Sequence, residues 1–166
     1  FYFIKVKPCG PRFPISDVNN NSYPTKPYNR LCWTVENLRT TLYSDSTPIP
    51  TALQYYSDVY PNRASNNATF GLLYNWASAT KNATTQPIQG ICPNGWRLPT
   101  TTEFSNLQSS NLYPVNNCND LHSINYWLNA DGTNITGFDM RPAGMYEAST
   151  HRFINLYGNT YFIAAD

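Results

Sequence analysis

Side chains that could carry acid–base chemistry are few in this sequence and lie far apart. The two histidines, His122 and His151, have no serine, cysteine or acid at motif spacing, and a general base needs a neighbouring group that orients it. The acidic side chains of interest are equally dispersed: Asp45, Asp58, Asp120, Asp131, Asp139 and Glu147. We therefore predict a protein that is not an enzyme. A glycosidase is the weaker alternative, because its two carboxylates can meet in space from distant positions.

The four cysteines are the next residues with defined chemistry. Cys9, Cys32, Cys92 and Cys118 form an even set without the close CxxC pairs of a zinc site or a redox centre. We expect two disulfides, in any of three connectivities. Four reduced, buried thiols are the alternative.

Aromatic side chains could instead bind a ligand by stacking. Trp33, Trp76 and Trp96 lie within apolar patterns, and we expect them in the core. The candidate ligand-binding residues lie in polar loops: Tyr55, Tyr56, Tyr60, Tyr126 and Trp127. A sugar or peptide could stack on them. The alternative is that these rings only pack the loops onto the core.

Composition and charge narrow the class of partner. The net charge is +1, only 13% of residues are charged, and the eleven Lys and Arg residues are scattered singly. Nucleic acid is therefore not an expected partner, because phosphate binding needs clustered cations. An aromatic content of 15%, dominated by tyrosine, suits a wet, contact-making surface. We expect an extracellular protein whose membrane association, if any, comes from an anchor outside this sequence.

Local patterns predict two short helices. Thr100 and Glu103 have the spacing of a capping box, which predicts a helix over 101–109 that buries Phe104 and Leu107. Trp96 to Leu98 alternate before Pro99, as on a short strand. Thr69 offers the cap of another helix, in which Phe70, Leu73, Tyr74 and Ala77 would share one face.

Strand signals are scattered between these helices. Residues 1–6 and 31–38 are rich in β-forming residues, and the polar run 17–23 is typical of a turn between short strands. Gly158-Asn159 separates 152–156 from 160–163, which predicts a hairpin. The resulting prediction is an α+β fold with small antiparallel sheets and long loops.

Several motifs occur in an order that resembles the Fibrobacter succinogenes major paralogous domain. They are CWTVENLRTT at 32–41, YSD and PIP at 43–50, FGLLYNW at 70–76, CPNGWRLPT at 92–100, and GF with RPAG at 137–144. The resemblance covers 15–166, so residues 1–14 are expected to be the end of an upstream segment or an N-terminal strand.

The resemblance implies a fold and a setting. It implies a C-type-lectin-like fold and a secreted or surface-anchored bacterial protein, commonly a lipoprotein, of the Bacteroidota or Fibrobacterota. We expect a non-catalytic module of an outer-membrane or fibrous assembly that binds a surface glycan or another cell-surface protein. The alternative is a structural or accessory lipoprotein subunit of a larger surface complex. A carbohydrate-active or formylglycine-generating-like enzyme comes last, because no reactive cysteine pair follows Cys118.

The same resemblance bears on metals and on Cys92. Lectin calcium signatures have an acid where Gln86-Pro87-Ile88 has Ile, and a Trp that Cys118-Asn119-Asp120 lacks. We therefore expect no metal and no cofactor, with a structural ion on Asp120 and Asp131 or Asp139 as the alternative. Family members continue past the position of Asp166 with a last strand that carries a cysteine. If Cys92 pairs with that cysteine in the family, it has no partner in this sequence.

Overall fold

Short elements joined by long loops make up the part of the protein that our computed structural model describes, which is residues 8–50, 63–108, 118–128 and 132–166. Within it lie three α-helices, one short 3-10 helix at Cys118–Asp120 and three two-stranded antiparallel sheets. The α+β class is therefore confirmed. The number of helices was predicted too low. None of the described helices has the length and apolar character needed to cross a membrane.

Two hairpins follow one another near the start. β1 (Ile15–Ser16) pairs with β2 (Ser22–Tyr23) across the polar turn, as predicted. β3 (Thr25–Tyr28) pairs with β4 (Leu31–Thr34) through Asn29 and Arg30, both of which have positive φ. Two residues at positive φ match the twist of a tight hairpin. The predicted strand 31–38 is therefore real but ends after Thr34.

The third hairpin differs from its prediction. β5 (Met145–Glu147) pairs with β6 (Arg152–Ile154), so the turn lies between them and not at Gly158-Asn159. Residues 160–163 form no strand. The prediction was wrong because Asn155 and Tyr157 adopt positive φ and end the strand early. The predicted strand over 1–6 lies outside the described residues.

The predicted helix from Thr69 through Ala77 was wrong, because Thr69 lies inside the last turn of one helix, residues 71–75 are not helical, and a second helix begins at Trp76. α1 (Arg63–Phe70) ends where Gly71, at φ +74°, donates its N–H to Asn67 O at 3.0 Å. A residue in this left-handed conformation is the common terminator of a helix. α2 (Trp76–Thr80) then starts afresh, because the Asn75 side chain accepts the Ser78 N–H at 2.8 Å.

The third helix forms as its cap predicts. α3 (Thr101–Gln108) begins with Thr100 Oγ1 accepting the Glu103 N–H at 3.2 Å, while Glu103 accepts the Thr100 N–H at 2.9 Å. Leu107 is buried and Phe104 is half-buried. The short strand at Trp96 to Leu98 is absent; Leu98 N instead donates to the Ile88 carbonyl at 2.8 Å, between two loops.

Among the residues that the structure describes, buried apolar side chains form three separate clusters. Cluster 1 contains Tyr43, Ile49, Ala79, Ile88, Ile91, Cys92, Leu98 and Ala165. Cluster 2 contains Phe70, Ala143, Phe153 and Leu156. Cluster 3 contains Tyr28, Leu107, Leu121 and Phe138. Trp96 packs on cluster 1 and Trp33 on cluster 3, as expected for core residues. Trp76 is 49% exposed, so its assignment to the core was wrong.

Candidate functional site: an open apolar cleft

The predicted aromatic platform at Tyr126 and Trp127 has one covered face. The Trp127 indole stacks on the His122 imidazole, with ring centroids 3.7 Å apart and planes 11° from parallel. Trp127 is half-buried, whereas Tyr126 is 45% exposed and sets its ring edge against Phe70. Tyr126 therefore offers more free surface than Trp127. Tyr55, Tyr56 and Tyr60 lie outside the described residues.

His122 packs its imidazole ring against Trp127 and has no sign of a catalytic role among the described residues. Its Nδ1 and the Nε1 of Trp127 are both buried, and neither has a hydrogen-bond partner among the described residues. Burial lowers the pKa of His122, because the charged imidazolium loses hydration. His151 Nδ1 lies 3.2 Å from the Tyr146 hydroxyl. Within the described part of the chain, neither histidine meets the acid that would orient a general base.

The carboxylates considered as ion ligands have other partners. Asp139 accepts from Arg141 Nη2 at 2.6 Å and from Nε at 2.9 Å. Asp120 is buried and accepts from Thr133 Oγ1 at 3.2 Å. Asp131 lies outside the residues that the structure describes. No group of three His, Cys, Asp or Glu side chains gathers as a metal site among the residues described.

One disulfide forms, not two. Cys9 and Cys32 are bonded, which links the N-terminal segment to β4. Cys92 and Cys118 are free thiols, so their expected pairing was wrong. Cys118 is exposed, whereas Cys92 is a member of cluster 1. Burial raises the pKa of the Cys92 thiol to about 12.

An open cleft of about 930 Å³ lies among the three clusters, and sequence reasoning missed it. One wall contains the unbroken run 31–38, which is β4 and its extension, and Met145 and Tyr146 of β5 also face the cleft. Other lining residues come from 70–75, 91–99, 138–140 and 161–163. Most of these segments belong to the sequence motifs at 32–41, 70–76, 92–100 and 137–144. The motif blocks were thus a signal of a shared site, although nothing in them gives its shape.

The charged groups of the walls are mostly neutralised. Glu103 pairs with Arg97 at 2.5 Å, and Glu36 pairs with Arg39 at 3.1 Å. Asp139 pairs with Arg141, as described. Arg30 differs, because among the described residues it lines the cleft without an ion-pair partner. The cleft is therefore apolar, and Arg30, just before β4, is the cation of its walls that has no ion-pair partner within the described ranges.

A family model describes the sequence over most of its length. The Fibrobacter succinogenes major domain matches residues 27–165. This chain belongs to that family. No curated protein and no solved structure matches it. In this Fibrobacter succinogenes major domain, the matched region begins within β3 and contains β4 and every later described element, and the cleft is built almost entirely from it.

Proposed function

We propose that this Fibrobacter succinogenes major domain is a non-catalytic extracellular module of a bacterial cell-surface assembly that binds a protein partner in the central cleft. The observation that carries the proposal is the cleft itself. A concave apolar surface of this size is typical of a binding site. The proposal includes a C-type-lectin-like fold, which is supported by short elements separated by long loops.

The character of the cleft walls favours protein over glycan as the partner. A sugar needs many polar partners for its hydroxyl groups, but the wall carboxylates of Glu36, Glu103 and Asp139 are already paired. Protein interfaces instead have apolar, aromatic centres. Phe162 and Tyr161 on the rim are 42% and 50% exposed, and aromatic side chains often dominate binding energy.

The extracellular setting has separate support. The Cys9–Cys32 disulfide is of a kind that persists in oxidising compartments and is rare in a reducing cytosol. The tyrosine-rich composition agrees with a wet, contact-making surface. The non-catalytic role is supported by the two histidines, which pack against Trp127 or contact a tyrosine hydroxyl and meet no acid among the described residues.

Glycan binding at Tyr126 is a second candidate function. Tyr126 is 45% exposed, and Ile124 and Leu128 on either side of it are also exposed. An exposed tyrosine ring can stack on the apolar face of a sugar. This site is separate from the cleft, since Tyr126 does not line it.

Retention of outer-surface proteins by the immobilised domain tests the protein-binding role. We expect Phe162→Ala to weaken retention at least about tenfold, the size of a modest hot-spot residue. Phe13→Ala is the matched control, because Phe13 is 49% exposed but lies outside the cleft. Melting curves should verify that both variants fold.

A glycan array with wild type and Tyr126→Ala separates the candidates. If saccharides bind to the wild type and not to Tyr126→Ala, glycan binding at Tyr126 replaces protein binding in the cleft as the function. If neither proteins nor saccharides bind, the module role is rejected.

A further inference from the structure

We infer that the partner enters the cleft as an extended β-strand of another protein and pairs with the free edge of β4. Its side chains would be apolar at alternate positions, with an acidic residue near Arg30. This inference rests on the proposed function and specifies how that binding occurs.

The first argument is the division of the core. A domain of this size usually has one contiguous core with smaller satellites, yet the described residues form three clusters that border the cleft. Cluster 1 contributes Ile91, Cys92 and Leu98 to the cleft, cluster 2 contributes Phe70 and Ala143, and cluster 3 contributes Phe138. An apolar segment in the cleft would contact all three clusters at once and make them continuous.

The second argument is the backbone of the walls. β4 is paired with β3 on one edge, and no strand pairs with its other edge in the described ranges. β5, on the cleft as well, is likewise paired only with β6 there. An unpaired strand edge carries a row of N–H and C=O groups that can bind an extended peptide.

The backbone also decides between a strand and a helix as the occupant. A helix satisfies its own N–H and C=O groups internally and would leave the strand edges unpaired. A strand can satisfy them while it fills the cleft. β4 itself offers an edge of four residues, about 13 Å of strand, and the wall then bends and continues to residue 38.

Charge gives the occupant an orientation. The other charged lining residues, Glu36, Arg97, Glu103 and Asp139, are all paired, so within the described part of the chain Arg30 is the cation that an occupant can neutralise. Because Arg30 directly precedes β4, the acidic residue should lie at one end of the bound strand. The centre of that strand should be uncharged, since an unpaired charge in an apolar cleft loses hydration without compensation.

A displayed library of random nine-residue peptides, selected on the full chain, tests this mode. We expect a consensus with β-branched or aromatic residues at alternate positions, no proline, and Asp or Glu at one end. Hydrogen exchange with a selected peptide should then slow at the amides of Cys32 and Thr34, because the Val35 N–H already donates to the Pro24 carbonyl and the register alternates along β4. Selection on Arg30→Glu should replace the terminal acid by Lys or Arg and weaken the original peptide at least about tenfold.

Two controls sharpen the result. Proline at alternate positions of a selected peptide should abolish binding, because it removes the N–H groups that the edge of β4 requires. Arg12→Glu is the matched charge reversal, since Arg12 is exposed and does not line the cleft. It should leave the terminal acid of the consensus unchanged.

Three outcomes would overturn the inference. A consensus with helical spacing, or none at all, rejects strand pairing. Unchanged preferences on Arg30→Glu reject the charge argument. Slow exchange of the outward-facing β4 amides without added peptide means that another part of the same polypeptide already pairs with that edge. If selection fails while Phe162→Ala still lowers retention of surface proteins, strand pairing falls and the binding-module role stands.

Discussion

Glu103 takes part both in the local cap of α3 and in an ion pair with the preceding loop. It accepts the Thr100 N–H within the capping box, and it also accepts from both terminal nitrogens of Arg97, at 2.8 and 2.5 Å. The hydrogen bonds from Arg97 lower the pKa of Glu103 most. Burial raises it and the bond from the Thr100 amide lowers it further, so that the pKa is about 2. One carboxylate thus fixes both the start of α3 and the loop before it.

Glu103→Gln isolates the charge, because glutamine also serves in a capping box. The pKa of Glu103 is lower in the folded than in the unfolded protein, so its contribution is present above the unfolded value of 4.5 and is lost as pH falls towards 2. We expect the variant to lose about 0.5–1 kcal/mol at pH 7 and almost nothing at pH 2.5. Urea unfolding at the two pH values measures this.

Glu147→Gln is the matched control, since Glu147 forms no ion pair within the described ranges. It should show no comparable change between the two pH values. A deficit for Glu103→Gln that stays constant down to pH 2.5 would contradict an electrostatic role.

The two free thiols should differ strongly in reactivity. Cys118 is exposed, whereas Cys92 is buried with a pKa raised to about 12, so its reactive thiolate is scarce at pH 8. Iodoacetamide should add one label to the native protein and two after denaturation without reductant, as counted by mass spectrometry. Cys118→Ser should take no label when native. Rapid labelling of that variant would show that Cys92 is accessible.

Among the elements, those set by neighbouring residues were predictable. The capping box of α3 needs only Thr100 and Glu103, and the β1–β2 turn needs only the polar run between the strands. The division of the helix at Gly71 was not predicted, because apolar spacing across Phe70 and Leu73 fits a continuous helix. Gly71 is required by close contact with Asn37 and Leu38, which are distant in sequence.

Gly71→Ala tests that contact. A Cβ at Gly71 would lie 2.6 Å from both Asn37 Cβ and the Leu38 carbonyl oxygen, and the φ of +74° adds strain. We expect a loss of at least about 2 kcal/mol in unfolding free energy by urea denaturation. Gly158→Ala is the control, since its nearest atom is 3.5 Å away and the change should be small. Equal effects would remove the steric explanation.

At the scale of the whole molecule, the family followed from the order of the motifs and the α+β class from the local helix and strand patterns, but the cleft followed from neither. Its walls combine 31–38 with residues up to 163, and their convergence depends on packing that no local pattern encodes. The same limit applied to the cysteines. The even number of cysteines suggested two disulfides. Only the fold brings Cys9 next to Cys32 and leaves Cys92 as a free thiol within cluster 1.

The Cys9–Cys32 bond also determines how the molecule bears mechanical load. A pull on the chain ahead of Cys9 passes through the sulfur atoms directly into β4, across a sequence separation of 23 residues. The β1–β2 hairpin and β3 are bypassed and feel no tension along their backbone. The first noncovalent structure to resist such a pull is therefore the wall of the cleft, so tension on this side of the domain and occupancy of the cleft act on the same strand.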